Sequence, residues 1–219
     1  MINSDDFCLN KLIEKIKTIF ESNGSGHDFE HVMRVYELAR HIANVEKCDL
    51  KIVSIAALVH DIGDYKLVEN SNKTQAEAVK EILSDFISEQ EIINKIVEIV
   101  EGVSFKGNGV DDLALSLEGQ CVRDADRLDA MGAIGVARAF AYGALKQRKM
   151  YDNTEKTNTY NTFEDYKDNT SNTINHFYEK LLLLKNRIQT KEGKRIAEKR
   201  HKFLETFLSE FLDEWNFSI

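Results

Sequence analysis

The sequence predicts an all-α fold: a single compact helical domain over residues 1–219, with extra helices at its C-terminal end. Three observations carry this reading. The 219 residues include no proline. Apolar residues recur at three- and four-residue spacings along most of the chain. No stretch of alternating polarity rich in β-branched residues competes as a strand. Helices are predicted at 5–22, 26–46, 50–62, 75–87, 89–101, 118–148, 172–190 and 192–216.

Each later element has a local reason. Helix 26–46 opens on Ser25 and Asp28, a weak start signal, where Gly24 and Gly26 let the chain turn in. Helix 50–62 is an apolar run stopped at Gly63, a residue that commonly ends helices. Thr74 with Glu77, and Ser88 with Glu91, read as Ser/Thr-x-x-Glu capping boxes that start helices 75–87 and 89–101. "SFKGNGV", residues 104–110, is a glycine-containing loop. Helix 118–148 carries a run of small residues from Gly132 to Ala144, which lets helices approach closely and places this segment at the packed centre of the bundle. Residues 151–173 are rich in Asn and Thr without a helical stripe, and read as a mobile surface loop or a lid over a site. The last two helices carry apolar stripes (Ile174, Phe177, Leu181, Leu184; Phe203, Phe207, Leu208, Phe211) that pack back on the core or form a homodimer.

Composition narrows the function. Hydrophobic residues at 42% and charged residues at 30% fit an ordinary soluble globular protein. The run Leu181–Leu184 is flanked by Lys180 and Lys185 and is too short to span a bilayer. The start has no basic region followed by a long apolar stretch. The protein is therefore read as cytoplasmic, with no membrane partner. Cys8, Cys48 and Cys121 are odd in number and far apart, which argues against a disulfide framework and a cysteine zinc site; each reads as an inert, partly buried thiol. A net charge of −8 disfavours general nucleic-acid binding. A small anionic substrate would have to be received by a metal or by local lysines.

Chemistry concentrates in three places. On helix 26–46, His27, His31, Val35, Leu38 and Ile42 share one face, so two histidines point with the core aliphatics. Alone, His31 reads more readily as a satisfied core residue than as a ligand. In "AALVHDIGDY", residues 56–65, an apolar helix ends in His60 and Asp61. Adjacent helical residues lie ~100° apart, so both reach one ion only where the backbone presents its edge to it, as at a helix end. The alternative has His60 donating to a carbonyl and Asp61 capping a neighbouring helix. In "CVRDADRLDAMGAIGVARAFAYG", residues 121–143, buried acids are costly unless they are paired or bind metal. Asp126 and Asp129 share a face. A salt-bridge net among Arg123, Asp124, Arg127 and Asp129 is expected, with Asp126 the exception.

A histidine, then an Ala-Leu-x-His-Asp helix end about thirty residues on, then a distant aspartate in "DADRLDA", resembles the HD-domain metal phosphohydrolases. "GHDFEHVMRV", "VSFKG", "DADRLDAMGAIGVARAFAYG" and "HFYEKLLLLK" resemble in particular the bacterial YpgQ-type branch, well over residues 20–148 and more loosely over 174–214. The resemblance implies that His31, His60, Asp61 and Asp126 bind a metal. It also implies pyrophosphate release from nucleoside triphosphates.

Two imidazoles and two carboxylates suit one divalent ion. Mn²⁺ comes first, with Fe²⁺, Co²⁺, Ni²⁺, Zn²⁺ or Mg²⁺ as alternatives. Such an ion supplies an attacking hydroxide near neutral pH. Asp64 is the candidate for orienting or deprotonating the attacking water, or else it caps the turn after Gly63. His27 contacts phosphate or supports a ligand. Lys66, Lys106 and Arg127 are candidate substrate-binding cations, with solvated surface as the alternative for the lysines. Phe105 stacks on a base or packs in the core. Hydrolysis of a nucleoside triphosphate to monophosphate and pyrophosphate is the expected reaction. A phosphodiesterase or 5′-nucleotidase, or a catalytically inactive nucleotide sensor, are the rivals.

Overall fold

The computed structural model describes residues 4–20, 28–64 and 73–218, with side chains from residue 9 onward. Every regular element among the described residues is helical, as the sequence predicts. The chain divides into two compact units: Met1–Ser104 with Leu113–Ala125, and Phe105–Asp112 with Asp126–Ile219.

The first unit contains α1 (Ser4–Phe20), α2 (Phe29–Glu46), α3 (Leu50–Val59), α4 (Gln75–Ser84) and α5 (Gln90–Val103). At its centre is α3, whose residues from Ile52 to Val59 are all buried, against α1, α2 and α5. Burying each Ile, Val or Leu there contributes about 1.5–3 kcal/mol, which makes α3 a stiff base for whatever follows it. Asp49 starts the helix by accepting the Lys51 and Ile52 amides at 2.9 and 3.1 Å. The Thr74–Glu77 capping box forms on α4. The one expected at Ser88 does not: α5 begins after Glu89, and Ser88 donates to the Glu89 side chain instead.

The predicted helix 118–148 is two helices. The first, α6 (Leu117–Asp129), starts in the first unit and continues unbroken into residues of the second. It is followed by α7 (Gly132–Leu145), with Gly132 at φ +71° turning the chain between them. The packed segment is α6, buried at every position from Cys121 to Asp129 except Asp126, which is half-buried. The small residues of α7 do not make it the centre: Ala133, Ala137, Ala141 and Ala144 are exposed and Ile134 is 47% exposed. Close approach is realised at Gly143, where a Cβ would collide with the Thr173 hydroxyl.

The second unit continues through α8 (Phe163–Lys167), α9 (Thr173–His176) and α10 (Lys191–Trp215). One π-helical stretch (Phe177–Leu181) and one 3₁₀ stretch (Leu183–Arg187) replace most of the regular helix expected at 172–190. The two apolar stripes meet each other: Phe177 stacks on Phe207 at 5.5 Å, and Phe140 and Phe211 close the cluster. The segment 151–173 is tied to the π-helix. Glu179, 1% exposed, accepts from the Asn158 amide (2.8 Å), the Ser171 hydroxyl (2.8 Å), the Tyr160 hydroxyl (3.2 Å) and the Asn169 amide (3.2 Å). No described helix is long and apolar enough to cross a membrane.

Candidate metal centre

The site grows from the ends of buried helices. Asp28 caps α2 by accepting the backbone N–H of His31 itself at 2.8 Å, so the residue that starts the helix also fixes the position of its histidine. His31 is fully buried on the face that carries Val32, Val35 and Ile42. His60 is the residue at which α3 stops, and Gly63 at φ +70° completes the turn through Ile62 and Asp64. A Cβ at Gly63 would lie 3.1 Å from Ala78 Cβ and 3.2 Å from Gln75 Cα, so space and backbone both select glycine. Gln75 donates to the His60 carbonyl at 2.9 Å, which satisfies a group that α3 leaves without a helical partner.

This turn solves the problem of adjacent ligands. The His60 and His31 Nε2 atoms stand 3.3 Å apart, with rings edge to face. The Asp61 carboxylate approaches both, at 3.3 Å from His31 Nε2 and 3.5 Å from His60 Nε2. Asp126 lies on α6, half-buried, among the residues of the second unit. His31, His60 and Asp61 are at most 4% exposed.

The donor chemistry fits a cation. His60 Nδ1 lies 2.8 Å from the Ala57 carbonyl, an acceptor only, so Nδ1 donates and Nε2 is turned inward. Nε2 there meets a second ring nitrogen and the Asp61 carboxylate in a site nearly closed to water. Such a convergence of acceptors is satisfied by a proton or by a metal ion. The Ala57 carbonyl is the kind of outer partner that orients metal-binding histidines.

The other candidate residues are placed differently. Asp64 is 4% exposed and accepts from the Ser104 hydroxyl at 3.0 Å, while its own amide donates to the Asp61 carbonyl at 3.2 Å. Ser104 and Gln75 are the residues that sequence reasoning missed. Ser104 stood inside the quoted "VSFKG", yet nothing in its spacing pointed to Asp64.

Arg127 does not present a free guanidinium to a substrate: its amino groups form a two-pronged pair with Asp112 at 2.6 and 2.8 Å, and one also donates to the Arg187 carbonyl at 2.8 Å. The expected salt-bridge net takes other partners as well. Asp129 pairs with Arg138 at 2.9 Å, and Arg123 donates to the Leu113 and Gly102 carbonyls. Lys106 is half-buried on the loop after α5. Phe105 packs, 5% exposed, edge-on to Tyr166 with the Arg187 guanidinium 4.9 Å above its ring. His27 and Lys66 lie outside the described residues.

An all-helical chain that brings His31 together with a His-Asp pair at the end of a buried helix has the architecture of an HD-superfamily hydrolase. The family description "HD domain" matches residues 28–131. Bacillus subtilis YpgQ is 35% identical over 194 residues, covering 88% of this chain and 86% of YpgQ. The crystal structure of YpgQ in complex with ADP superposes with a TM-score of 0.77 at 30% identity, over 97% of this chain and 96% of that one. A Lactobacillus plantarum structure gives 0.86 at 32% identity over 99% of both chains. An HD-superfamily hydrolase of Bacillus thuringiensis gives 0.73 at 36% identity, over 97% and 98%. The chain belongs to the HD domain family.

Proposed function

We propose that the chain is a metal-dependent phosphohydrolase that cleaves nucleoside triphosphates to monophosphate and pyrophosphate. The observation that carries this reading is the approach of His31 and His60 Nε2 to 3.3 Å, with the Asp61 carboxylate against both. In this reading His31, His60, Asp61 and Asp126 hold one divalent ion, Mn²⁺ first among them. Such an ion, when bound, lowers the pKa of a water and polarises a phosphoryl oxygen.

The chain's own residues do the rest. The Ala57 carbonyl orients the His60 ring and Asp28 holds the backbone N–H of His31, so both residues stay in place without reorganisation. Asp64 accepts the proton of the attacking water, its second oxygen being steadied by Ser104. Near-complete burial limits water around His31, His60 and Asp61 and strengthens their electrostatic effect. Lys106 and, beyond the described residues, Lys66 receive phosphate in a protein of net charge −8. Support for a nucleotide comes from YpgQ, whose crystal structure holds ADP.

A metal-by-substrate screen with phosphate and pyrophosphate read separately tests this. Pyrophosphate and monophosphate in equal amounts are expected, lost in His31→Ala and Asp126→Ala variants that still fold. Inorganic phosphate from monophosphates would assign a nucleotidase instead. Tight nucleotide binding without turnover under any metal would assign a sensor.

A further inference from the structure

Cys48 and Cys121 are free thiols, as the sequence reading has them, but the fold brings these two distant positions together. Cys48 and Cys121 lie 73 residues apart in the chain, yet their sulfurs stand 3.6 Å apart within the first unit. Cys121 is fully buried in the middle of α6. Cys48 is half-buried in the short link between α2 and α3, one residue beyond Lys47, whose φ of +59° ends α2. We propose that Cys48 and Cys121 are a redox-active pair, which a hydroperoxide converts to an intramolecular disulfide.

The geometry suits the reaction. A disulfide places its sulfurs about 2.05 Å apart, so closing the 3.6 Å gap needs a movement of roughly 1.5 Å. Cys121 sits on a packed helix, so the movement falls to Cys48, which lies between two helices and is held by its N–H to the Ala43 carbonyl at 3.3 Å and by its thiol to the same oxygen at 4.0 Å. No other residue of either chain segment has to cross between the sulfurs.

The steps balance. Cys48 is the less buried sulfur, and as thiolate it attacks the O–O bond. An S–O bond forms, the O–O bond breaks, and the alcohol or water of the hydroperoxide leaves, giving Cys48 sulfenic acid. The Cys121 sulfur then attacks the Cys48 sulfur. The S–S bond forms, the S–O bond breaks, and the Cys121 proton leaves with the hydroxide as water. The two sulfurs together lose two electrons and the peroxide gains them.

Burial pushes the Cys48 thiol above its ordinary range and the Cys121 thiol further above. Both therefore rest mainly as thiols and Cys48 attacks through its small thiolate fraction, so the pair responds to sustained oxidant rather than to traces. The bond would tie the α2–α3 link to α6. Those are the elements that carry His31 at one end and Asp126 one and a half turns beyond Cys121.

The test uses the folded full chain with Cys8→Ser, so that Cys48 and Cys121 are the only thiols. Hydrogen peroxide is added, the reaction is quenched, and thiols are counted after unfolding, alongside intact mass. The expected result is loss of both thiols together, a mass lower by two hydrogens, no chain dimer, and full recovery with dithiothreitol. Cys121→Ser should leave Cys48 trappable by dimedone, and Cys48→Ser should leave Cys121 a thiol. Oxygen added at Cys48 while Cys121 stays a thiol would overturn the proposal. So would a disulfide between two chains, or two thiols surviving peroxide that oxidises them in urea. None of these outcomes depends on hydrolase activity.

Discussion

Arg127→Met separates a structural arginine from a substrate-binding one. The side chain is 2% exposed, and its guanidinium meets both oxygens of Asp112 at 2.6 and 2.8 Å and the Arg187 carbonyl at 2.8 Å. Methionine keeps the unbranched stem and removes every donor. Breaking a buried ion pair by deleting one partner costs roughly 3–5 kcal/mol. The Asp112 side chain is 19% exposed and also lies 3.3 Å from the Arg187 guanidinium, so it keeps some solvation and a second cation. The lower end, about 3 kcal/mol, is therefore expected. In a chain of this size 1 kcal/mol shifts Tm by about 2–4 °C, so the variant should melt roughly 6–12 °C below the parent. Thermal and urea melts of Arg127→Met, Asp112→Asn and the double variant form a cycle. The double variant should lose far less than the sum of the singles. If Arg127→Met melts with the parent while KM for a triphosphate rises tenfold, the structural assignment is wrong and the guanidinium faces substrate.

Three further outcomes follow from the geometry. Mn²⁺ at a hundred times its Kd should stabilise the protein by about 2.7 kcal/mol, or roughly 5–11 °C in Tm. A chelator should reverse the shift, which His31→Ala and Asp126→Ala should lack; an unshifted parent protein would argue against the centre. Glu179→Ala strips the acceptor from four donors and should cost roughly 3 kcal/mol. Limited proteolysis should then cut within 151–173 faster than in the parent, and an unchanged rate would mean that Glu179 does not hold the segment. Gly63→Ala forces a Cβ into a left-handed residue against Ala78 and Gln75. It should lower stability by about 1–2 kcal/mol in urea melts, and equal stability would show that the turn can relax.

The periodicity of the sequence was enough for the helical class because helix packing here obeys local rules: an apolar stripe, a cap, a glycine stop. It failed where tertiary contacts decide. Gly132 lies inside a continuous helical pattern, yet a residue at φ +71° divides α6 from α7. The π-helical turn at Phe177–Leu181 has no period of its own to read, and Glu179 shows why it persists, since the carboxylate there serves a segment with no apolar stripe. The burial of His31, His60 and Asp61 together was legible because a buried face or helix end carrying polar groups must satisfy them. Ser104, Gln75 and the Cys48–Cys121 approach were not, because each is a pairing of residues distant in sequence that leaves no spacing signal. Arg127 misled for the opposite reason: an arginine beside buried acids reads alike whether its partner is a substrate phosphate or Asp112.

The centre also sets a tension that the surrounding fold must absorb. Two ring nitrogens and the Asp61 carboxylate at 3.3–3.5 Å, nearly sealed from water, must share protons or a cation among them. A site carried on flexible loops would relieve this by moving apart. Here the relief is blocked from three sides. Asp28 caps α2 at His31, Ala57 clamps the His60 ring, and α3 is buried along nearly its whole length. The same packing that stabilises the first unit therefore holds these side chains together. A cluster built this way should bind its ion with little rearrangement, since the aliphatic core of α3 already supplies the energy that keeps the donors in place.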